Sequence, residues 1–169
     1  MFKKMDGVYI EDVNKYVLEW IDKTKNKYND VEIHVGTDSQ DKGRFASYVT
    51  VICMREVGKG VHIIGDYEKV VYPVNPENDK SKKMALFPRL WGEVEKTNNA
   101  AISLQKALFT KLIEKNISFT VHLDINPKES EGSHVAYRAG VGLLKGQGFE
   151  VTSKPDSWAA SKAADMLCR

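Results

Sequence analysis

Two stretches of the chain share one alternating pattern and each reaches an aspartate, which constrains the fold more than any other feature. In Val31–Gln40 (VEIHVGTDSQ), apolar and polar residues alternate with the period of a β-strand, and a polar turn at its end holds Asp38. The stretch Ile117–Asp124 (ISFTVHLD) repeats this alternation. If the two strands are parallel neighbours, Asp38 and Asp124 lie on the same face and edge of one sheet. Two carboxylates so placed repel each other unless a proton or a metal ion lies between them.

The remaining patterns predict an α/β domain. The predicted helices are Ile10–Tyr28, a long helix within Arg89–Lys115, Ser133–Leu144, and a last helix capped by Asp156 or Ser157 that runs to about Leu167. The other predicted strands are Arg44–Arg55, Val61–Val74 with a break near Gly65-Asp66, and Phe149–Ser153. Residues 73–83 are predicted as a loop. This order predicts a five-stranded mixed sheet, with three antiparallel strands followed by β-α-β-α, flanked by helices.

Length and composition are those of one globular domain. The chain has 169 residues, of which 28% are charged and 42% hydrophobic, so we expect a single domain over residues 1–169, with residues 1–30 as a helical extension of a core over 31–169. The net charge of +2 is too small to indicate nucleic-acid binding by itself, although it leaves room for a local basic patch. The sequence gives no indication of the oligomeric state.

Several patterns bear on the cellular location. Cys53 and Cys168 are isolated, which is typical of free thiols in a reducing compartment. No apolar run reaches the roughly 18 residues of a membrane span. The first ten residues lack the apolar segment of a signal peptide. These patterns predict a cytoplasmic protein that does not enter a membrane.

Four acidic residues fall where this topology converges. Asp38 and Asp124 end strands, Glu93 lies in the first turns of the long helix, and Asp165 lies in the last helix. Glu93 is preferred over Glu95 because it lies beside the apolar stripe, whereas Glu95 lies about 200° further around the helix. A ring of carboxylates suits one or two hard divalent ions, Mg²⁺ or Mn²⁺.

Each of these acids also has a simpler interpretation. Asp38 is a common turn residue, Asp124 would cap the loop that follows it, and Asp165 would be a solvated helix residue. The four positions taken together, more than any one of them, indicate a metal site.

Further polar residues are candidates for supporting roles. Lys154, just before the last helix, and a basic group before the long helix would contact phosphates, or would belong to solvated loops. His122, on the face of Asp124, and His134, in a loop, would be auxiliary groups, although a lone strand histidine such as His34 is more often structural. No stretch interleaves basic and aromatic residues as single-strand-binding proteins do. The basic group consists of Lys80, Lys82, Lys83 and Arg89.

Five segments in order resemble the YkuK family of RNase H-like proteins. They are GTDSQ, RLWGEV, HLDIN, GQGFEV and KPDSWAASKAAD, and the match runs from about residue 31 to the C-terminus. The resemblance implies an RNase H-like fold with Asp38, Glu93 and Asp124 as core acids. Ala163-Ala164-Asp165 is similar to the segment that carries the last-helix acid of RNase H-like nucleases. The resemblance implies a nuclease-like site but does not name a substrate.

Three hypotheses for function follow. The first is a divalent-metal-dependent nuclease that cleaves RNA, DNA or a hybrid through the four acids. The second is a nucleic-acid-binding module without catalysis, which would not need a metal site. The third is a nucleotide phosphotransferase, because the segment GTDS also resembles the phosphate loop of sugar-kinase and actin-like folds. Those folds need two such domains, and the sequence contains no GxxxxGK[ST] loop.

Overall fold

A mixed six-stranded sheet lies at the centre of the computed structural model, which describes residues 1–24, 30–71 and 86–168. The strand order is β1-β4-β3-β2-β5-β6. The strands are β1 (Lys3–Lys4), β2 (Val31–Asp41), β3 (Phe45–Glu56), β4 (Gly60–Val71), β5 (Ser118–Leu123) and β6 (Glu150–Ser153). The helices are α1 (Val13–Lys23), α2 (Leu86–Glu114), α3 (His134–Gly146), and a π-helix (Ala159–Ala164) that continues into α4 (Asp165–Cys168). The first four strands in the order pair antiparallel, whereas β2, β5 and β6 pair parallel.

The prediction of five strands is wrong by one. The additional strand, β1, is only two residues long, so it has no alternating pattern to detect. Its pairing of Lys3 with Gly65 and Lys4 with Ile64 covers the outer edge of β4. A covered edge presents fewer unpaired backbone groups to other chains.

Strand β2 is longer than predicted. The polar turn expected at its Asp38 end is wrong, because the ladder with β3 continues from Val31 to Asp41. The reversal comes at Gly43, whose φ of 84° is accessible to glycine. The break expected in β4 is also wrong: Gly65 pairs with Val51 within an uninterrupted ladder, and that strand is described as far as Val71.

Helices α1, α2 and α3 pack on one face of the sheet. Helix α1 begins at Val13, three residues later than predicted, because the Asp12 side chain accepts the N–H of Lys15 while Ile10 N donates to Phe2 O. The predicted continuation over 25–28 lies outside the described residues, as do the whole of the predicted 73–83 loop and the end of the third predicted strand. The apolar stripe predicted for the long helix is confirmed by the burial of Leu90, Val94, Ala101, Leu104 and Leu108.

A segment of small residues covers the other face. The buried side chains of this segment, Ala159, Ala160, Ala163 and Ala164, pack with those of Val49, Val51 and Cys53. Helical geometry begins at Trp158, close to the predicted start, but the predicted side-chain cap is wrong. No side chain caps the π-helix, and within the described chain the buried Ser157 hydroxyl has no hydrogen-bond partner.

The predicted α/β class, the antiparallel meander and the parallel crossovers are therefore confirmed. The sheet lies between two layers, one of three helices and one of the small-residue segment. Within the described ranges, no helix is both long enough and apolar enough to cross a membrane.

Candidate active site

The register of the central parallel strands brings two of the predicted acids together. Strands β2 and β5 pair from Glu32 with Ser118 to Thr37 with Leu123. The next pair in this register is Asp38 with Asp124. The predicted parallel arrangement of these strands is thus confirmed, although Asp38 lies inside β2 and only its pairing with β5 ends there.

Helix α2 supplies the third acid, Glu93, from the face of the sheet opposite to that of Asp38. The Glu93 side chain is 2% exposed, while Glu95 is exposed, as the helical stripe predicts. The Ser39 hydroxyl donates to Glu93 Oε1 over 2.5 Å. Arg89 Nη1 lies 3.5 Å from the same oxygen and donates to Ser39 O over 2.9 Å and to Ser39 Oγ over 2.7 Å. Arg89 and Ser39 therefore fix the Glu93 carboxylate against the end of β2.

A buried hydroxyl chain aligns the same helix one turn further on. Thr97 Oγ1 donates to Thr37 Oγ1 over 2.8 Å, and Thr37 Oγ1 lies 3.0 Å from Thr50 Oγ1. Each hydroxyl satisfies another where water is excluded. The chain fixes the rotation of α2 about its axis and thereby the position of Glu93.

The last helix brings the fourth acid to the sheet face of Asp38. Asp165 opens α4 directly after the π-helix, and its Oδ1 accepts a hydrogen bond from Gln40 Nε2 at 3.3 Å. Gln40 Oε1 in turn accepts from Lys42 Nζ at 2.7 Å. Residues of the β2–β3 hairpin thus hold the side chain of Asp165.

Burial and mutual repulsion raise the pKa of three of these carboxyl groups. Burial is the main cause for Asp38, whose pKa rises to about 6, and the charges of Asp124 and Asp165 raise it further. Burial, followed by Asp38 and Asp124, raises the pKa of Glu93 to about 8, against the opposing effects of Ser39 and Arg89. Burial and Asp165 raise the pKa of Asp124. The four acids therefore form one electrostatically coupled group.

Lys154 forms an ion pair with Asp124. Its Nζ lies 3.1 Å from Asp124 Oδ2 and lowers the pKa of that carboxyl group against the effect of burial. The other oxygen, Oδ1, is buried and has no hydrogen-bond partner in the described part of the chain. A buried acceptor without a donor is costly unless something occupies its lone pairs.

Comparison with known protein families decides the family. The family model described as Ribonuclease H-like matches residues 12–169, nearly the whole chain. The chain belongs to the ribonuclease H-like family. This confirms the resemblance to the YkuK family, whose members are RNase H-like, and it indicates a nuclease-type or nucleic-acid-related function. No curated protein and no solved structure matches the chain.

The oxygen atoms of this ribonuclease H-like site suit a hard divalent cation, although the four carboxyl groups do not surround one point in this structure. All four acids offer oxygen atoms, which Mg²⁺ and Mn²⁺ prefer as ligands. One of these oxygens, Asp124 Oδ1, has no hydrogen-bond partner in the described part of the chain and is available to a cation. Over residues 1–24, 30–71 and 86–168, however, no three His, Cys, Asp or Glu side chains are placed to hold one metal ion. The metal site stays a prediction.

One of the two histidines predicted as auxiliary, His122, bonds the backbone at the start of the π-helix. Its ring is 2% exposed, and its Nδ1 accepts the N–H of Ala159 at 3.1 Å, at the start of the π-helix. The His34 ring centroid lies 4.7 Å from that of His122 and 4.9 Å from that of Trp158. Burial and His34 lower the pKa of His122 to about 4, so a neutral ring anchors the helix that carries Asp165.

The other predicted supporting residues are distributed differently. His134 is not in a loop: it is the first residue of α3, and its ring stacks on Tyr137 at 6.4 Å. Arg89 reaches Ser39 and Glu93, while Lys154 reaches Asp124. The remaining basic residues of that group lie outside the described residues; they are Lys80, Lys82 and Lys83.

Sequence reasoning missed Ser39 and Gln40, which hold Glu93 and Asp165. Both belong to the GTDSQ segment, and strand alternation contained the signal. Successive side chains point to opposite faces, so the residues after Asp38 reach helices on both sides of the sheet.

Proposed function

We propose that this ribonuclease H-like chain is a divalent-metal-dependent nuclease that hydrolyses phosphodiester bonds of RNA or DNA. The observation that carries the proposal is the coupled group of four carboxylates at the end of the β2–β5 parallel pairing. A fold gains nothing in stability from carboxyl groups that repel each other in a buried setting, so the cost points to function.

In this proposal, Asp38, Glu93, Asp124 and Asp165 would hold Mg²⁺ or Mn²⁺. The bound ion would activate a water molecule and stabilise the leaving 3′-oxygen of the substrate. Ser39 and Arg89 orient the Glu93 carboxylate. Gln40 does the same for Asp165.

Lys154 would bind a phosphate group of the substrate. Its side chain is 45% exposed and already lies at Asp124, so its ammonium group would neutralise a phosphate that approaches this carboxylate. This is the phosphate contact that the sequence predicts for it.

A nucleic-acid-binding module without catalysis is the second candidate. The observation that favours it is that protein groups engage all four acids while no three ligand groups in the described ranges surround one point. Such a module would bind nucleic acid equally well with and without a divalent ion.

A cleavage panel tests the proposal. End-labelled single strands, duplexes, RNA–DNA hybrids and junctions are incubated with Mg²⁺, Mn²⁺, Ca²⁺ or a chelator. We expect cleavage with Mg²⁺ or Mn²⁺, little with Ca²⁺ because its looser coordination positions water less well, and none with chelator. The Asp156→Asn variant, at an exposed position, should cleave normally, whereas Asp38→Asn should not. Cleavage that survives exhaustive chelation would exclude the mechanism, and binding without cleavage of any substrate would favour the second candidate.

A further inference from the structure

Near the β1–β4 edge of the sheet, one face carries aromatic side chains interleaved with lysines. Lys3 forms a bridge with Tyr9 and pairs with Gly65, so these three residues share a face. Tyr67 and Lys69 follow Gly65 at intervals of two, which keeps them on that face. Phe45 joins them through its ring, since Lys69 Nζ lies 3.9 Å from the Phe45 ring centroid.

This aromatic–lysine face lies on the same side of the sheet as the candidate active site, and the buried β3 residues Val49 and Ser47 lie between them. Tyr67 pairs with Val49, and Val49 pairs with Asp38. Directly opposed residues of neighbouring strands project to the same face, and two strand spacings separate β4 from β2 by roughly 10 Å. Next to this row, Lys69 pairs with Ser47, which pairs with Gln40, the residue that holds Asp165.

Tyr9, Tyr67 and Lys69 of this face are exposed to solvent, whereas Lys3 and Phe45 are half-buried. Tyr9 is 61% exposed and Tyr67 48% exposed. An open cavity of ≈ 180 Å³ lies between Lys3, Tyr67 and the α4 residue Leu167. Lys3 Nζ also lies 5.4 Å from the Tyr9 ring centroid. The ammonium groups of Lys3 and Lys69 therefore lie over the rings of Tyr9 and Phe45.

Charge favours an anionic partner on this face. The acidic residues of β4, Asp66 and Glu68, alternate with Tyr67 and Lys69 and so project to the opposite face. Glu68 is bound there by Lys96 of α2. The face that leads to Asp38 thus presents the lysines of the outer strands without the acids that alternate with them.

We propose that the aromatic–lysine face binds single-stranded nucleic acid, with bases stacked on the rings and phosphates held by the lysines, and that it directs the strand to Asp38. Rings give sequence-tolerant stacking only to bases that are unpaired, because a duplex hides the base faces. The proposal rests on the proposed function for the destination of the strand, and it adds the class of substrate. It could not be read from one stretch of sequence, since four separate segments supply the residues.

Binding measured without turnover tests the proposal. Fluorescence anisotropy follows labelled oligonucleotides of about 12 nucleotides, within the usual range of site sizes, as single-stranded DNA, single-stranded RNA and duplex, all in chelator. The variants are Tyr67→Ala, Tyr67→Phe and Lys69→Ala. Lys106→Ala, at an exposed position of α2, is the charge-matched control.

We expect single strands to bind more tightly than duplex. Tyr67→Ala should weaken single-strand binding by about fivefold to a hundredfold, as loss of one stacked base does, whereas Tyr67→Phe keeps the ring and should bind as wild type. Lys69→Ala should lower the salt-dependence slope by about 0.7. Lys106→Ala should change neither quantity.

Equal binding of duplex and single strands, no binding of any oligonucleotide, or an unchanged affinity in both Tyr67→Ala and Lys69→Ala would overturn the proposal. The cleavage panel separates this result from the proposed function. Cleavage of a duplex by both wild type and Tyr67→Ala would support the nuclease proposal and contradict the single-strand-binding proposal. Single-strand binding that depends on Tyr67, with no cleavage under any condition, would support the single-strand-binding proposal and contradict the nuclease proposal.

Discussion

At the scale of single residues, the candidate site places carboxyl groups where a negative charge is costly. Asp38 and Glu93 have raised pKa values because burial and neighbouring carboxylates disfavour their ionised forms. Ser39 and Arg89 offset only part of this cost. A divalent cation would reverse it, so stability, metal affinity and activity should change together when one carboxylate is removed.

The Asp38→Asn variant should separate a metal ligand from a turn residue. Asn keeps nearly the same shape and removes one charge, so the metal-free variant should hold its stability or gain about 1 kcal/mol, the value of roughly one pKa unit of relieved repulsion. Its stabilisation by Mg²⁺ should shrink and its cleavage should be lost, because a neutral amide is a poorer ligand for a hard cation. Melting temperatures with and without Mg²⁺, beside a cleavage assay, measure these effects. A variant with near wild-type cleavage would remove Asp38 from the site.

The Glu93→Gln variant should alter the pH dependence of stability. The pKa of Glu93 rises from 4.5 to about 8 on folding, so the folded state binds the proton more tightly than the unfolded state does. Stability from this group is therefore greatest below about pH 4.5 and is lost as the pH rises through about 8. Glu93→Gln should flatten this loss, since the amide does not ionise.

Glu95→Gln is the matched control for that change. The same substitution two residues away on α2, at an exposed position, should leave the wild-type profile. Urea unfolding in chelator, repeated across pH 5 to 8, compares the three proteins. Indistinguishable profiles for the two variants would mean that Glu93 carries no special cost.

At the scale of elements, the close approach of the last helix to β2 positions Asp165. A side chain at Gly36 would place its Cβ 2.9 Å from Ala160 Cβ and 3.0 Å from Ala160 N, so the helix lies directly on the strand. His122 anchors the start of the same helix through the N–H of Ala159. Small residues on both surfaces are what permit this distance.

The Gly36→Ala variant should move the helix away from the strand. Because the nearest atoms include backbone, accommodation should cost about 1–3 kcal/mol, as overpacking usually does, and Mg²⁺ should stabilise the variant less than wild type. Gly142→Ala is the control: an added Cβ there meets nothing within 4 Å, and alanine in a helix should gain up to about 1 kcal/mol. Urea denaturation measures both. A Gly36→Ala protein as stable as wild type would show that the contact does not constrain the helix.

The elements were predictable from sequence to the degree that periodicity defines them. Strands β2 and β5 and the stripe of α2 have strong periods, and their faces are as predicted. Strand β1 has only two residues and forms by backbone hydrogen bonding to β4, so the sequence contains no alternating pattern that would predict it. The expected side-chain cap at Asp156 or Ser157 failed because a π-helix begins there with Ala159 N bonded to His122, a tertiary contact between distant segments.

At the scale of the whole molecule, the candidate site draws on both faces of one sheet. Asp38 and Asp124 come from the central parallel strands, Glu93 from the helix layer on one face and Asp165 from the layer on the other. The alternation of the two parallel strands predicts that Asp38 and Asp124 share a face, and the apolar stripe of α2 predicts a buried Glu93, although β2 continues beyond Asp38. Strand alternation places Ser39 and Gln40 on opposite faces, but which acid Ser39, Gln40 or Lys154 contacts depends on packing between layers, which no single-segment pattern encodes.

The most direct test of the central claim is anomalous diffraction from crystals of the protein grown with Mn²⁺. The four-carboxylate site predicts a strong manganese peak bounded by Asp38, Glu93 and Asp124, with Asp165 at its margin, and loss of that peak in Asp38→Asn crystals. Asp124 Oδ1 should be among the ligands, because it is the buried oxygen without a partner in the described part of the chain. No peak between these carboxylates at saturating Mn²⁺, or a peak that remains in Asp38→Asn, would contradict the account.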